Sequence, residues 1–315
     1  MKLAAAMVLA AGRGERMQPL SRVLPKPALP LLDQPVVASA LRLAATVGTE
    51  RLVVNTWHLA EAMERALADI ALGIEIAVSR EQELMDTAGG IALARDRGLL
   101  GERGPVLIIN GDGWLNLNLD PLLDRMARFG DLVSLALLPH LDPLRWSRVI
   151  LDPEGLVHCI KKPGQPDSNE VPFLYPGVML IARQALNDLT ALPGSIPECL
   201  WRPALADHRL GGVVVSGHWR EIGTPSDYLA ATLGRLNGGA AVIHPSADIH
   251  PSASIGAALI GRGARIAENS VIAESVVAED AVVSPRTRVL RSVLLGDVTT
   301  EPGEVVVDEF RAARF

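Results

Sequence analysis

Apolar residues recur every five or six positions after residue 239 of this chain. They are Ile243, Ile249, Ile255, Ile260, Ile266, Ile272, Val277, Val283, Val289 and Leu294. None of the short strands in such a hexapeptide repeat can bury its inward side chain alone, so successive coils must stack and share one core. The spacing predicts about three coils of a left-handed parallel β-helix over residues 241–300, followed by a tail over residues 301–315.

Two histidines in this repeat raise the question of whether it is catalytic. His244 and His250 each stand in a His-Pro-Ser context, six residues apart. An acyltransferase built on a β-helix is one alternative, but about three coils are short for that activity, and repeated corner residues explain the pair more simply. The open end of a solenoid needs a cap or a partner, and residues 305–315 are a candidate cap.

The first 236 residues have a different pattern, in which short apolar runs alternate with segments of helical periodicity. This alternation predicts an α/β domain with a doubly wound, Rossmann-like, mostly parallel sheet. The predicted strands are Leu3–Leu9, Arg51–Asn55, Glu75–Val78, Val106–Ile109 and Leu132–Leu138. The predicted helices are Val36–Val47, Leu59–Ala68 and Gly90–Arg97.

Composition excludes several classes of function. A chain of 315 residues with 49% hydrophobic residues is long enough for about two domains with a sizeable core. Its formal charge of −6 argues against a nucleic-acid or anionic-membrane surface. Cys159 and Cys199 have no metal-like spacing, and no leader or long apolar run is present. We therefore expect a cytoplasmic protein with no nucleic-acid or membrane partner.

A glycine-rich loop follows the first predicted strand. It runs from Leu9 to Met17 with Gly12 and Gly14 inside it, and Lys26 stands further on between two prolines. Glycines let backbone N–H groups approach phosphate oxygens closely. Taken alone, Gly-x-Gly also fits a dinucleotide loop or a plain turn, and Lys26 also fits a solvated lysine on an extended segment. Met17 stands where the dinucleotide fingerprint has its third glycine, which disfavours NAD binding.

Carboxylates follow two other segments. Asp112 comes just after the Val106–Ile109 strand, so it lies beside the glycine-rich loop if both strands end at one sheet edge. A turn aspartate between glycines is the alternative. Glu221 precedes Thr224 and Pro225, which together with Asp227 make a good helix start.

Together these motifs resemble the signature of the sugar-1-phosphate nucleotidyltransferases, or nucleotide-sugar pyrophosphorylases. The family pattern reads Leu-Ala-Ala-Gly-x-Gly-x-Arg-x-x-Pro-Leu, followed by Pro-Lys-Pro. The form Gly-x-Gly-Glu-Arg-Met is most similar to N-acetylmuramate-1-phosphate uridylyltransferase-like members. The resemblance covers roughly residues 1–235 and implies a Mg²⁺-dependent enzyme acting on a nucleoside triphosphate and a sugar-1-phosphate.

The resemblance also implies roles for particular residues. Arg16 and Lys26 would contact phosphates, Lys162 would meet the sugar phosphate, Gly177 would lie against the sugar, and Asp112 and Glu221 would hold Mg²⁺. The nucleotide would bind to Leu9, Ala10, Ala11, Gly12, Arg13, Gly14, Gln82, Thr87, Ala88 and Gly89. Three residues depart from the family pattern: Glu221 replaces an aspartate, Lys161 a glutamate and Ser147 a glycine.

These departures keep two functions open. The first is an NTP:sugar-1-phosphate nucleotidyltransferase, and the second is a noncatalytic regulatory subunit of the same fold that binds nucleotide sugars. The resemblance leaves the base open among uracil, thymine and guanine, and it leaves the sugar open. β-Helix tails support oligomers in such relatives, so we expect a homo-oligomer through the repeat domain.

Overall fold

The structure is a computed structural model that describes residues 2–49, 51–165 and 170–313. The last two residues of the candidate cap lie outside this described part. The chain forms two compact units. The first contains Met1–Gly12, Val37–Ala60 and Leu67–Trp219, and the second contains Arg13–Val36, Glu61–Ala66 and Arg220–Phe315. The second unit thus includes more than the repeat, and the boundary at residue 236 stays a prediction.

Helices and strands both occur over the first 233 residues. They alternate from residue 38 to residue 110, whereas five strands follow one another between residues 133 and 181, with no helix among the described residues of that stretch. The strands are β1 (Ala5–Leu9), β2 (Pro30–Leu31), β3 (Gln34–Pro35), β4 (Leu52–Thr56), β5 (Ile76–Arg80), β6 (Val106–Asn110), β7 (Gly113–Leu117), β8 (Val133–Pro139), β9 (Arg148–Leu151), β10 (Val157–Lys161), β11 (Pro172–Leu174), β12 (Val178–Ile181), β13 (Leu210–Val214) and β14 (Gly217–Glu221). The helices are α1 (Ala38–Thr46), α2 (Ala60–Ala68), α3 (Asp86–Asp96), α4 (Asp120–Phe129), α5 (Arg183–Asp188), α6 (Arg202–Ala206) and α7 (Pro225–Leu233). Short 3-10 turns cover Glu15–Met17, Leu20–Arg22, Lys26–Ala28 and Asn237–Gly239, and a π-helix covers Pro197–Trp201.

The first unit is built on a ten-stranded mixed sheet. Its order is β10-β9-β11-β8-β12-β6-β1-β4-β5, with β13 pairing with β8. Strands β6, β1, β4 and β5 run parallel, whereas β12, β11, β9 and β10 pair antiparallel. Every residue of β1 and β4 is buried, which explains the uniformly apolar sequence of β1 and the apolar run at the start of β4. The expected Rossmann-like fold class is confirmed, and the antiparallel extension is a feature that the sequence analysis did not predict.

A buried ion pair fixes helix α4 of the first unit to the sheet. Arg125 Nε donates to Asp131 Oδ2 at 2.8 Å, and the Ser134 hydroxyl donates to the same oxygen at 2.7 Å. The side chains of Arg125 and Asp131 are only 7% and 2% exposed. Gly211 of β13 packs against the pair so closely that a Cβ there would collide with it. Because both charges are desolvated, each one depends on the other.

Asp131→Asn tests this dependence. It leaves Arg125 as a buried charge without a counterion, so we expect the free energy of unfolding to fall by about 3 kcal/mol. Asp124→Asn, on an exposed position of the same helix, is the matched control and should stay within about 0.5 kcal/mol of the wild type. Urea denaturation followed by tryptophan fluorescence measures both. Equal stability of the two variants would contradict the assignment.

The second unit contains the predicted repeat, which forms a parallel β-helix. Its strands are β15 (Val242–Ile243), β16 (Asp248–Ile249), β17 (Ser254–Ile255), β18 (Ala258–Ile260), β19 (Arg265–Ile266), β20 (Val271–Ala273), β21 (Ser275–Val277), β22 (Val282–Val283), β23 (Arg288–Leu290), β24 (Val293–Leu295), β25 (Val305–Val307) and β26 (Phe310–Ala312). They stack in three parallel sheets. All ten apolar positions of the repeat lie on these strands, and from Ile260 onward their side chains form the buried core. Handedness stays a prediction.

The β-helix has more coils than the sequence predicts. Thr299 pairs with Val282 and Val306 pairs with Val289, so β24, Thr299 and β25 form a fourth coil within the described residues, and β26 adds one more strand to the sheet that contains β24. The expectation of about three coils was therefore wrong by one. In the fourth coil, the buried Thr300 takes the place of the apolar residue found in the earlier coils. A search for regularly spaced apolar residues therefore does not detect this coil.

The two histidines brace corners of the repeat. Ser246 N–H donates to His244 Nδ1 at 3.2 Å, and Ser246 Oγ accepts the N–H of Gly263, 17 residues on, at 3.1 Å. His250 and Ser252 repeat this arrangement, with Ser252 Oγ accepting the N–H of Asn269. Both His-Pro-Ser segments therefore tie one coil to the next, which supports the structural interpretation.

An ion-pair cluster lies near the C-terminal end of the β-helix. Arg311 Nη2 lies 2.7 Å from Glu304 and 2.8 Å from Glu309. Hydrogen bonding to Arg311 lowers the pKa of Glu304 below its ordinary value of 4.5. The strand β26 that carries Arg311 pairs with β24, so part of the candidate cap extends one of the three sheets.

Glu304→Gln tests the contribution of this cluster. A carboxyl with a lowered pKa stabilises the folded state above its unfolded pKa, and this stabilisation is lost as the pH falls through the folded value. We expect the variant to be less stable than the wild type at pH 7, by less than about 1 kcal/mol because the pair is partly solvated. The difference should shrink below pH 4.5. Thermal unfolding from pH 7 to pH 3, with exposed Glu268→Gln as control, measures it, and a difference independent of pH would contradict the assignment.

Candidate functional site

Three parallel strands of the first unit end in step at one edge of the sheet. Leu9, the last residue of β1, pairs with Asn55 of β4 on one side and with Asn110 of β6 on the other. Gly111 N–H donates to the Leu9 carbonyl at 2.9 Å. The exposed Asp112 follows directly. The expectation that Asp112 and the start of the glycine-rich loop share one edge is therefore confirmed.

The two glycines of the loop differ in conformation. Gly14 has a φ of +63°, and its carbonyl accepts the Ser21 hydroxyl at 2.8 Å. Gly12 is not in the left-handed region, and a Cβ there would meet no protein atom within 4 Å. A left-handed backbone conformation therefore occurs at Gly14 and not at Gly12. Ala10 and Ala11, which precede these glycines, are buried.

Lys26 lies in the second unit close to the same loop. A Cβ on Gly14 would lie 3.6 Å from the Cβ of Lys26. The lysine is only 7% exposed and belongs to the 3-10 turn Lys26–Ala28. The alternative of a solvated lysine on an extended segment was therefore wrong, because tertiary packing buries this cation.

The second unit also brings Arg16 next to Glu221. Arg16 Nη2 lies 3.5 Å from Glu221 Oε1, with the two side chains 71% and 19% exposed. Arg13 lies 3.6 Å from Glu15, and both are exposed. Glu221 ends β14, just before a helix start in which the Thr224 hydroxyl accepts the Asp227 N–H at 3.1 Å. This capping box confirms the predicted start of α7.

The donor chemistry of the proposed metal ligands fits Mg²⁺. Asp112 and Glu221 offer hard carboxylate oxygens, and Mg²⁺ commonly takes one or two carboxylates together with substrate phosphates. Among the described residues, no three or more His, Cys, Asp or Glu side chains gather into a metal-binding group.

The family resemblance implies that the segment from Gln82 to Gly89 reads the nucleotide base, and this segment enters helix α3. Gln82 is exposed. The Thr87 hydroxyl accepts the Ile196 N–H at 2.9 Å, and the N–H groups of Ala88 and Gly89 donate to the Gly194 carbonyl at 2.9 and 3.4 Å. These three residues are thus bonded to a loop more than a hundred residues later, and their contact with a base stays a prediction.

Gly89 and Gly90 lie inside α3, which begins at Asp86. The predicted start of this helix at Gly90 was late. A Cβ at Gly89 would collide with the Leu192 carbonyl oxygen, and one at Gly90 would lie 2.6 Å from Glu81 Oε1. Both glycines therefore allow close packing and not a helix start.

A buried polar network lies behind this segment. Ala10 N–H donates to Asn55 Oδ1 at 2.8 Å, Asn55 Nδ2 donates to Glu81 Oε1 at 2.8 Å, and Met85 N–H donates to Glu81 Oε2 at 3.0 Å. Burial raises the pKa of Glu81, and the bonds from Met85 and Asn55 oppose that shift. The sequence analysis missed both side chains, although polar residues within and just after apolar strands could have identified them.

An aromatic pair marks the side predicted to face the sugar. The rings of Trp146 and Trp219 meet edge to face, with centroids 5.4 Å apart. The Arg145 guanidinium lies 4.9 Å from the centre of the Trp146 ring. The backbone carbonyl oxygen of Ser147, one of the departures from the family pattern, lies 3.1 Å from His140 Nε2. This aromatic pair was not predicted from the sequence.

The remaining residues that the family pattern singles out, Lys161, Lys162 and Gly177, lie at ends of β10 and β12, two strands of the sheet that are not neighbours. Lys161 Nζ is 3.1 Å from Glu170, so the lysine that replaces a glutamate has an acidic partner. Lys162 is exposed just after β10. Gly177 has a φ of +85°, and a Cβ there would lie 2.7 Å from Asn110 Nδ2. Gly177 is therefore required by the close approach of Asn110 at the sheet edge.

Within residues 2–49, 51–165 and 170–313, no helix combines the length and apolarity needed to cross a membrane. Cys159 and Cys199 are both free thiols, the first partly buried and the second exposed.

Comparisons with known proteins agree on the family. Probable mannose-1-phosphate guanylyltransferase 1 of Oryza sativa subsp. japonica is 27% identical over 228 residues, which cover 71% of this chain and 62% of the relative. Mannose-1-phosphate guanylyltransferase 1 of Arabidopsis thaliana is 28% identical with the same coverage. The match thus spans less than two thirds of these curated relatives. The crystal structure of HddC from Yersinia pseudotuberculosis superposes with a TM-score of 0.60 at 18% identity, covering 72% of this chain and 97% of that one.

The family profile described as Nucleotidyl transferase matches residues 5–237. This range includes the glycine-rich loop, Lys26, Asp112 and Glu221. Because the profile spans most of the chain, the protein belongs to the nucleotidyl transferase family.

Proposed function

We propose that this protein is an NTP:sugar-1-phosphate nucleotidyltransferase. The observation that carries the proposal is the shared strand edge, where β1 opens the glycine-rich loop and β6 leads to Asp112. Parallel α/β sheets bind ligands outside the carboxyl ends of their strands. The family membership and the guanylyltransferase names of the relatives support the same reaction class.

In this reaction a sugar-1-phosphate oxygen forms a bond to the α-phosphorus of the NTP, and the bond from that phosphorus to the bridging oxygen of pyrophosphate breaks. The products are an NDP-sugar and pyrophosphate. The reaction needs no covalent intermediate on the protein, so the protein contributes positioning and charge neutralisation. Asp112 and Glu221 would hold Mg²⁺, which would supply charge neutralisation at the phosphates.

Residues of the chain can supply both the positioning and the charge neutralisation. The buried Lys26 and the exposed Arg16 supply positive charge to the triphosphate, and backbone groups of Leu9–Gly14 line it. Lys162 orients the attacking phosphate, and Gly177 lies against the sugar. The charge of Lys26 is the stronger candidate, because a cation held in a buried setting acts through a lower effective dielectric than a solvated one.

The relatives suggest the substrates to test first. They are named as mannose-1-phosphate guanylyltransferases, so GTP with mannose-1-phosphate is the first pair that we propose. The first loop is most similar to N-acetylmuramate-1-phosphate uridylyltransferase-like members, which makes UTP with that sugar phosphate the second pair. A homo-oligomer through the β-helix and a cytoplasmic location remain parts of the proposal.

Gly12→Ala tests the phosphate role of the loop. The new methyl meets no protein atom within 4 Å and needs no left-handed backbone, so stability should change by less than about 0.5 kcal/mol. The methyl occupies space that a phosphate needs, and we expect the dissociation constant for Mg²⁺-NTP to rise about tenfold, or about 1.4 kcal/mol.

The contrasting variant is Gly14→Ala. It places a side chain at a φ of +63°, so it should lower stability by about 1–2 kcal/mol. Calorimetric titration and thermal unfolding measure the two effects. Unchanged nucleotide affinity in Gly12→Ala would show that phosphates do not approach this glycine.

Pyrophosphate release tests the reaction itself. The purified chain is assayed with GTP, UTP, ATP, CTP and dTTP against a panel of sugar-1-phosphates with Mg²⁺. One matched pair should turn over, and Asp112→Ala should lower its rate about 100-fold or more. The exposed Asp124→Ala is the matched control.

Two other results have distinct meanings. Full activity in Asp112→Ala would exclude its proposed role. Silence of the wild type across the panel, together with metal-independent binding of an NDP-sugar, would identify the noncatalytic regulatory subunit instead.

A further inference from the structure

Two buried side chains join the glycine-rich loop to the segment that enters helix α3. Asn55 and Glu81 are 2% and 4% exposed. Asn55 accepts from the Ala10 N–H, and Glu81 accepts from the Met85 N–H. The two side chains bond to each other at 2.8 Å. Backbone groups 75 positions apart in sequence are thus connected through three hydrogen bonds.

The donor and acceptor roles in this network are fixed. Both backbone ends are N–H donors, and an ionised carboxylate can only accept. Asn55 is the one member that both donates and accepts. If its amide were flipped, an NH₂ group would face the Ala10 N–H, and a carbonyl oxygen would face the carboxylate. Chemistry therefore permits one arrangement.

Gly90 leaves the space that the network occupies. A Cβ at this position would lie 2.6 Å from Glu81 Oε1 and 2.9 Å from Asn55 Nδ2. Both distances are shorter than van der Waals contact. Because Gly90 lies inside α3, the helix that carries the predicted base-reading residues also packs directly on the pair.

We propose that Asn55 and Glu81 are positioning residues that hold the triphosphate loop and the base-reading segment in one fixed relation. This inference rests on the proposed function, in which Ala10 belongs to the first site and the segment from Gln82 to Gly89 to the second. Neither side chain needs to touch the nucleotide. A ligand that bridges two subsites gains affinity from their fixed separation, whereas a ligand that fills one subsite does not.

The test exchanges the hydrogen-bond donor and acceptor groups of Asn55 and Glu81. In Glu81→Gln, one amide NH₂ must face a donor, either Met85 N–H or Asn55 Nδ2. In Asn55→Asp, two carboxylates face each other.

The double variant combines Asn55→Asp with Glu81→Gln. The new aspartate can accept from both the Ala10 N–H and the NH₂ group of the new glutamine. The amide oxygen of that glutamine can accept from the Met85 N–H. All three hydrogen bonds are thereby restored, with the opposite direction in the middle bond.

We expect the dissociation constant for Mg²⁺-NTP to rise about tenfold in each single variant, because Glu81→Gln leaves a buried donor without an acceptor and Asn55→Asp places two buried acceptors against each other. The double variant should return to within about threefold of the wild type, giving a large coupling in the double-mutant cycle. Affinities for inorganic triphosphate and for the nucleoside alone should change little, because each probe occupies one subsite. Calorimetry with the full chain, at temperatures where every variant is folded by circular dichroism, measures all three.

Gly90→Ala provides a second route if a single variant fails to fold. It keeps both network side chains and favours the helix, while its methyl displaces Glu81. The same selective loss of NTP affinity is expected. A loss that is equal for NTP, triphosphate and nucleoside, or a double variant with no recovery, would overturn the positioning role.

The two proposals fail in distinguishable ways. If the wild type turns over its substrates and Gly90→Ala and Glu81→Gln keep its NTP affinity, the positioning role alone is overturned. If the wild type binds neither Mg²⁺-NTP nor an NDP-sugar, the proposed function falls, and this inference falls with it.

Discussion

The parallel register of β4, β1 and β6 is the constraint on which the candidate site depends. Leu9 pairs with Asn55 and Asn110 together, so three loops leave the sheet at one level. An asparagine stands at this level on each flanking strand. Asn55 bonds the Ala10 amide, and Asn110 fills the space that Gly177 leaves. A shift of register by one residue would turn these side chains to the other face and separate the loops.

Local patterns predicted the parts of the fold whose burial is uniform. Strands β1, β4 and β6 are almost entirely buried, and each begins with a run of apolar residues, so their predicted bounds were within two residues. The repeat was predicted position by position because every coil buries the same inward residue. The antiparallel strands were missed because they are short or unevenly buried, as in β10 and β11.

The site was predicted less completely, because motifs identify loops and not the residues that hold them. Gln82 was predicted to contact the nucleotide because its amide can both donate and accept. Its side chain is exposed, whereas the adjacent Glu81 is buried in the network with Asn55. Thr87 and Ala88 bond to a loop near Gly194. Contacts between residues so far apart in sequence arise from tertiary packing, and no local spacing encodes them.

The glycines also differ in ways that the sequence does not reveal and the structure does. In sequence, Gly12, Gly89 and Gly90 are equivalent members of two motifs. In the fold, protein atoms occupy the Cβ positions of Gly89 and Gly90, whereas none lies within 4 Å of that position at Gly12. Glycine costs conformational entropy on folding, and at Gly12 neither a left-handed backbone nor a crowded neighbour offsets that cost. Open space at this position is what the phosphate contact proposed for Gly12 requires.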